Sequence, residues 1–320
     1  MAKEHNNIIE VKGLSKAFDG TIAVDGISFS IGPGELFGFL GPNGAGKTTT
    51  VRMLTGVLKP IEGTATIQGH DICSESLQSR AHIAVVPEEA NVYLDLSVWQ
   101  NIMLMADLYG VPRKQRTRKA VELLDALGLS DRTGHKARTL SKGLRQRLML
   151  CAALVSDPEI LFLDEPTSGL DVQSRQMIHK IIRQLNNQGL TIFLTTHNME
   201  EAENLCSRVA IINEGKIAAI DTPDKLRTAI EARQYVEVMF SDKRLSAQEI
   251  KSLPGISSVD STGNVLRAYT ETPGKAATEI ACLARSKDIE IEQVCTRKPS
   301  LQEVFLYFTN QNKNKKAAIQ

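Results

Sequence analysis

An α/β fold with a mainly parallel sheet core, a helical insertion and a small C-terminal α+β domain is what this sequence predicts. Three observations carry that prediction. Short β-branched runs alternate with longer helical patterns over the first two thirds of the chain. Residues from about 90 to 156 read as consecutive helices with no strand between them. Beyond Asp221-Thr-Pro223 the order of elements changes.

The strand candidates are residues 8–11, 35–40, 64–67, 82–86, 160–163, 191–194 and 209–212. Short apolar runs bounded by turn signals suit strands buried in a sheet covered on both faces. Helical patterns occupy 47–54, 98–108, 113–126, 144–155, 173–187 and 199–206. Asn213-Glu-Gly215 lies between two apolar runs and reads as a tight hairpin turn. From Gln234 the reading is strand, helix, strand, strand, helix, strand, then a helix at 300–308, an order of the split βαβ type. The predicted domains are therefore 1–225, with its helical part at about 90–156, a small α+β domain at 226–310, and a polar, basic, solvated tail at 311–320.

Composition narrows the class. The chain has 320 residues, 42% hydrophobic and 23% charged, enough length and apolar content for a sizeable core. A formal net charge of +1 gives no broad footprint for nucleic acid. No apolar run is long enough to span a bilayer, and the start, Met1-Ala-Lys-Glu-His-Asn-Asn, lacks the apolar stretch of a secretory signal. The five cysteines, at 73, 151, 206, 282 and 295, form no C-x-x-C pair and read as reduced thiols of a cytosolic protein.

Gly41-Pro42-Asn43-Gly44-Ala45-Gly46-Lys47-Thr48 fits G-x-x-x-x-G-K-[ST], with an apolar strand before it and a helical pattern after it. Glycines let backbone N–H groups turn inward around phosphate oxygens, and the helix start, including Thr49, adds its positive end. Lys47 would reach the β- and γ-phosphates of a nucleotide, and the Thr48 hydroxyl would bind Mg²⁺. A second run, Ile160-Leu-Phe-Leu-Asp-Glu165, is an apolar strand ending in two carboxylates. Ligands of such folds lie beyond the carboxyl ends of the strands. Asp164 would orient the metal, directly or through water, and Glu165 would take a proton from the attacking water. A third strand, Thr191-Ile-Phe-Leu-Thr-Thr-His197, ends in an imidazole able to hydrogen-bond the γ-phosphate. His5, His70, His82, His135 and His179 lack a comparable setting and read as ordinary.

Leu140-Ser-Lys-Gly-Leu-Arg-Gln-Arg147 resembles the L-S-G-G-Q signature of ATP-binding-cassette ATPases, and Ser168-Gly-Leu-Asp171 resembles their D-loop. His197 falls at the family's switch histidine, and Phe18 where the family places a ring against adenine. The resemblance covers about residues 7–225 and implies an ABC-type P-loop NTPase using ATP and Mg²⁺. It implies that two such ATPase domains, as in a homodimer, sandwich two ATP molecules. Ser141 and Gly143 of one domain would then contact the γ-phosphate on the other, and Asp171 would tie the two sites together. It also implies a separate multi-span membrane permease, docked on the helical insertion, and a cytoplasmic location at the inner face of the cell membrane.

Two motifs depart from the family pattern. Lys142 and Leu144 replace Gly and Gln in the signature, and Glu88 stands where the Q-loop glutamine is expected, still able to approach Mg²⁺. Lys298-Pro-Ser-Leu-Gln-Glu-Val-Phe-Leu306 resembles the closing segment of prokaryotic drug- and polyketide-type exporter ATPases. The competing expectation, a soluble ATPase of the same superfamily acting on ribosomes or nucleic acid, would bring paired cassettes, coiled coils or zinc modules, and the sequence has none of these.

Overall fold

A computed structural model describes residues 7–89, 91–228, 234–241, 245–297 and 299–307. The tail at 311–320, His5 and position 308 of the last expected helix lie outside the described residues. The chain divides into two compact units, Met1–Ile220 and Asp221–Gln320.

The first unit opens with β1 (Ile9–Phe18) and β2 (Thr21–Ile31), an antiparallel pair. Asp19 and Gly20, both at positive φ, form the two-residue turn that joins them. Then follow β3 (Leu36–Leu40), α1 (Lys47–Leu54), β4 (Glu62–Ile67), β5 (His70–Asp71), α2 (Ser76–Ala81) and β6 (Ile83–Val86). Next come α3 (Val98–Leu108), α4 (Arg113–Ala126), α5 (Lys142–Leu154), β7 (Ile160–Asp164), α6 (Val172–Asn187), β8 (Thr191–Thr196), α7 (Met199–Leu205), β9 (Arg208–Asn213) and β10 (Lys216–Asp221).

These strands form two sheets. Six run in the order β10-β9-β3-β8-β7-β6, and the β9-β3-β8-β7-β6 neighbours are parallel. Every residue of β3, β7 and β8 is buried, which explains their unbroken apolar runs. The helices α3, α4 and α5 are inserted between β6 and β7, two strands that pair directly. Ser97 and Gln100 close a capping box that starts α3.

The second sheet, β2-β1-β4-β5, is antiparallel wherever its pairing is described, and its extent differs from the sequence expectation. β2 has no continuous apolar run. It alternates buried and exposed positions, and Gly26 at φ 61 interrupts the alternation. Phe29 on β2 joins the two sheets. Its ring stacks 5.5 Å from Phe37, and Phe193 lies 5.3–5.9 Å from Phe37, Phe39 and Phe162. The predicted turn at 213–215 is present, with Glu214 at φ 48 and Gly215 at φ 77.

The second unit contains α8 (Pro223–Thr228), β11 (Tyr235–Phe240), α9 (Ala247–Lys251), β12 (Ile256–Thr262), β13 (Val265–Thr270), α10 (Pro273–Ser286) and β14 (Ile291–Arg297), and residues 301–307 are helical. Its sheet runs β12-β13-β11-β14 with every neighbouring pair antiparallel, the split βαβ order. Val236, Val238, Phe240, Leu266 and Ala268 make its core with Ile250, Ile280 and Ala284. The opposite face carries Arg267 over the Tyr235 ring at 5.4 Å and hydrogen-bonded to Glu237 at 2.9 Å. All five cysteines are free thiols, and burial pushes Cys151 up to about 12.

Candidate active site

The loop between β3 and α1 has the shape its glycines allow. Gly44 and Gly46 sit at φ 79 and 106, in the region that favours glycine. A Cβ on Gly46 would lie 2.6 Å from the Ala23 carbonyl oxygen, so the β1–β2 hairpin is packed directly against the loop. No side chain caps α1, which leaves its first N–H groups facing the loop. The buried Lys47 ammonium donates to the carbonyls of Gly41 at 2.8 Å and Pro42 at 3.0 Å. Ala23, Asn43, Gly44, Gly46, Lys47, Thr48, Thr49, Glu88 and Glu165 line a cleft of about 270 Å³. Backbone donors, a helix start and a buried cation make this an anion site.

The acidic pair stands opposite. Asp164 is buried and accepts from Thr195 Oγ1 at 2.5 Å. Glu165 is 6% exposed and adopts φ 49, a conformation that costs on the order of 1–3 kcal/mol outside glycine. Its N–H donates to the Thr195 carbonyl and hydroxyl, both at 3.1 Å. Carboxylate Oε2 lies 2.7 Å from His197 Nδ1. Oε1 sits 3.1 Å from Lys47 Nζ but out of line for a hydrogen bond, so one buried oxygen faces the loop without a hydrogen-bond partner. A water held there would meet a proton acceptor within reach.

Oxygen donors for a hard cation are also gathered. Thr48, Glu88 and Asp164 all line the adjoining cleft of about 770 Å³. Among the described residues no three His, Cys, Asp or Glu side chains could hold a metal by themselves. The set fits Mg²⁺, which completes its shell with water and phosphate oxygens.

Phe18, Ser141, Gly143 and Asp171 line neither cleft, and His197 meets the site through Glu165. Phe18 is exposed at the end of β1, with Lys16 Nζ 5.6 Å from its ring centre. Ser141 caps α5 by accepting from Leu144 N–H, and Gly143 is buried beneath Ser174. Asp171 caps α6, accepting from the Ser174 N–H at 2.8 Å and its hydroxyl at 3.0 Å. Those two bonds hold its carboxyl below the usual range.

Residues 24–168 match the ABC transporter family. The chain is 36% identical to a daunorubicin/doxorubicin resistance ATP-binding protein of Streptomyces peucetius over 97% of its own length and 94% of that protein. This chain belongs to the ABC transporter family. It is an ATP-binding subunit with ATPase activity. A linearmycin resistance ATP-binding protein of Bacillus subtilis (strain 168) is 33% identical, over 94% of this ABC ATPase and 98% of the relative. The solved structure of cbiO1 from Clostridium perfringens, described as part of the ABC transporter complex cbiONQ, matches with a TM-score of 0.65 at 27% identity. That match covers 70% of this chain and 91% of the other.

Thr167, His179, Thr195, Thr196 and Glu201, packed beside Asp164, Glu165 and His197, escaped the sequence reading. Thr195 straps Asp164 and Glu165 together, as above. Glu201, 2% exposed, accepts from Thr167 at 2.8 Å, His179 at 2.9 Å and Thr196 at 2.6 Å. His179, which read as ordinary in the sequence, is half-buried against this carboxylate. Burial alone would raise the Glu201 carboxyl, but the bonds from His179, Thr196 and Thr167 outweigh it and hold the group below its ordinary value. A glutamate four residues after a strand-end histidine was the only signal, and its partners Thr167 and His179 lie in distant segments.

Proposed function

We propose that this ABC ATPase drives export of a small molecule through a separate multi-span membrane permease, with two ATPase domains closing on ATP. The reading rests on one observation above all: Glu165 is held by His197 on one oxygen while the other faces the phosphate loop. In that reading Glu165 accepts the proton of the attacking water. The water oxygen forms the new bond to the γ-phosphorus as the bond to the bridging oxygen breaks, and ADP leaves. His197 keeps the Glu165 carboxylate aimed and offers its imidazole to the γ-phosphate. Lys47 exchanges its loop carbonyls for phosphate oxygens. Thr48, Asp164 and Glu88 would hold Mg²⁺, which would supply positive charge against the phosphates.

Ser141 and Gly143, lying away from the chain's own cleft, suit contact with the nucleotide of a second copy, and the exposed Asp171 retains lone pairs for the same partner. Phe18 would flank the adenine. The ATPase domain is taken as residues 1–225, with the permease docking on its helical part at about 90–156, and residues 226–310 form the small domain. The resistance relatives support export, and no described helix is long and apolar enough to cross a membrane. A permease contact places the subunit at the cytoplasmic face of the cell membrane. Co-purification of the tagged chain from detergent-solubilised membranes tests this. One multi-span partner in defined stoichiometry supports the reading, and ribosomal or DNA-repair proteins without a membrane partner overturn it.

A further inference from the structure

Glu201 is a buried carboxylate that the hydrolysis scheme does not use. It sits on α7, yet its three partners come from three other places: Thr167 in the turn after β7, Thr196 at the end of β8, and His179 on α6. An ionised carboxylate only accepts, so each partner must donate. His179 therefore carries its proton on Nε2. Thr196 gives its hydroxyl proton to Glu201, and its oxygen then accepts the Asn198 N–H at 3.0 Å. The Asn198 side chain in turn accepts the Glu201 N–H at 3.2 Å and starts α7.

The consequence is geometric. Thr196 and Asn198 flank His197 in sequence, and both are fixed by this network. Thr167 lies two residues after Glu165. One carboxylate thus ties down both chain segments that carry the Glu165–His197 contact. We propose that Glu201 is a positioning residue for ATP hydrolysis, locking the exits of β7 and β8 so that Glu165 and His197 keep their contact through turnover. This rests on the reading of Glu165 as the proton acceptor. A neutral amide at 201 keeps the volume, but its NH₂ group meets donors instead of accepting from them, so at least one bond of the network is lost. Small displacements of a reacting group are costly, because proton transfer needs hydrogen-bond reach.

The test is steady-state ATPase of the full-length chain, with kcat and KM separated, in Glu201→Gln, Thr196→Val, Thr196→Ser and Thr167→Val, with Glu165→Gln as reference. Glu201 lines no part of the phosphate cleft. Glu201→Gln should therefore lower kcat about tenfold or more while KM and the affinity for a fluorescent ATP analogue stay within about twofold. Thr196→Val should fall in the same direction, and Thr196→Ser, which restores the donor, should recover most of the loss. A residue that only stabilises the fold would instead lower activity in step with the folded fraction, and serine would do no better than valine. Parent-like kcat in Glu201→Gln and Thr196→Val would overturn the proposal. If Glu201→Gln does not fold, Thr196→Val and Thr167→Val, each of conserved volume, decide it. Full activity in Glu165→Gln would overturn the reading beneath it. An inactive Glu165→Gln beside parent-like Glu201 and Thr196 variants would defeat the positioning role alone.

Discussion

Ser174 occupies the space that any side chain on Gly143 would need, because a Cβ built there falls well inside contact distance of the Ser174 hydroxyl and side chain. The start of α5 and the start of α6 are thus packed backbone to side chain within one chain. Gly143→Ala should displace Ser174 and disturb its bond to Asp171. Overpacking of this kind costs about 1–3 kcal/mol. ATPase activity should fall about tenfold while a nucleotide analogue still binds the chain's own phosphate loop. Adding Ser174→Gly should recover part of the loss. Comparing the three proteins by activity and by analogue binding checks the expectation.

Gly46 makes a sharper demand. It combines φ 106 with a carbonyl at 2.6 Å from any added Cβ. Gly46→Ala should open the loop or push away the β1–β2 hairpin, at on the order of 1–3 kcal/mol. Fluorescence titration with an ATP analogue should show affinity reduced about tenfold or more, before any catalytic step is involved.

The core between the two sheets depends on Phe193, fully buried among Phe29, Phe37, Phe39 and Phe162. Phe193→Ala should cost about 3–5 kcal/mol in urea unfolding of the first unit. Phe193→Leu should cost less, since more of the volume is kept.

Glu249 gives a prediction with a sign. Lys287 and the Ser246 hydroxyl and N–H hold its carboxyl down to about 2 from an ordinary 4.5. A depressed folded value stabilises the folded chain at and above the ordinary value, and the contribution fades as pH falls from about 4.5 towards about 2. Denaturation midpoints of parent and Glu249→Gln should differ at neutral pH and converge through that window. A carboxyl ¹³C titration of Glu249 gives the group's own midpoint.

The sequence carried the phosphate loop and the acidic pair because their working groups are neighbours along the chain. Gly41 to Thr48 and Asp164-Glu165 need no tertiary knowledge to be seen. β3, β7 and β8 were legible for a related reason, since burial on both faces leaves unbroken apolar runs. β2 was not, because one face is partly exposed and Gly26 shifts its alternation. The Glu201 network was invisible for a deeper reason. Thr167, His179 and Thr196 each look unremarkable locally, and packing of β7, β8, α6 and α7 brings them onto one carboxylate. Likewise, nothing in Gly143 announces Ser174, thirty-one residues away.

The central claim is that Glu165, aimed by His197, accepts the proton that makes water a nucleophile. The most direct measurement is single-turnover ATP hydrolysis by the full-length Glu165→Gln protein, together with nucleotide affinity. Glutamine keeps the shape but cannot take the proton. The account predicts a hydrolysis rate lowered at least about a hundredfold with ATP affinity nearly unchanged. Hydrolysis at the parent rate would contradict it and move the proton acceptor elsewhere in the cleft.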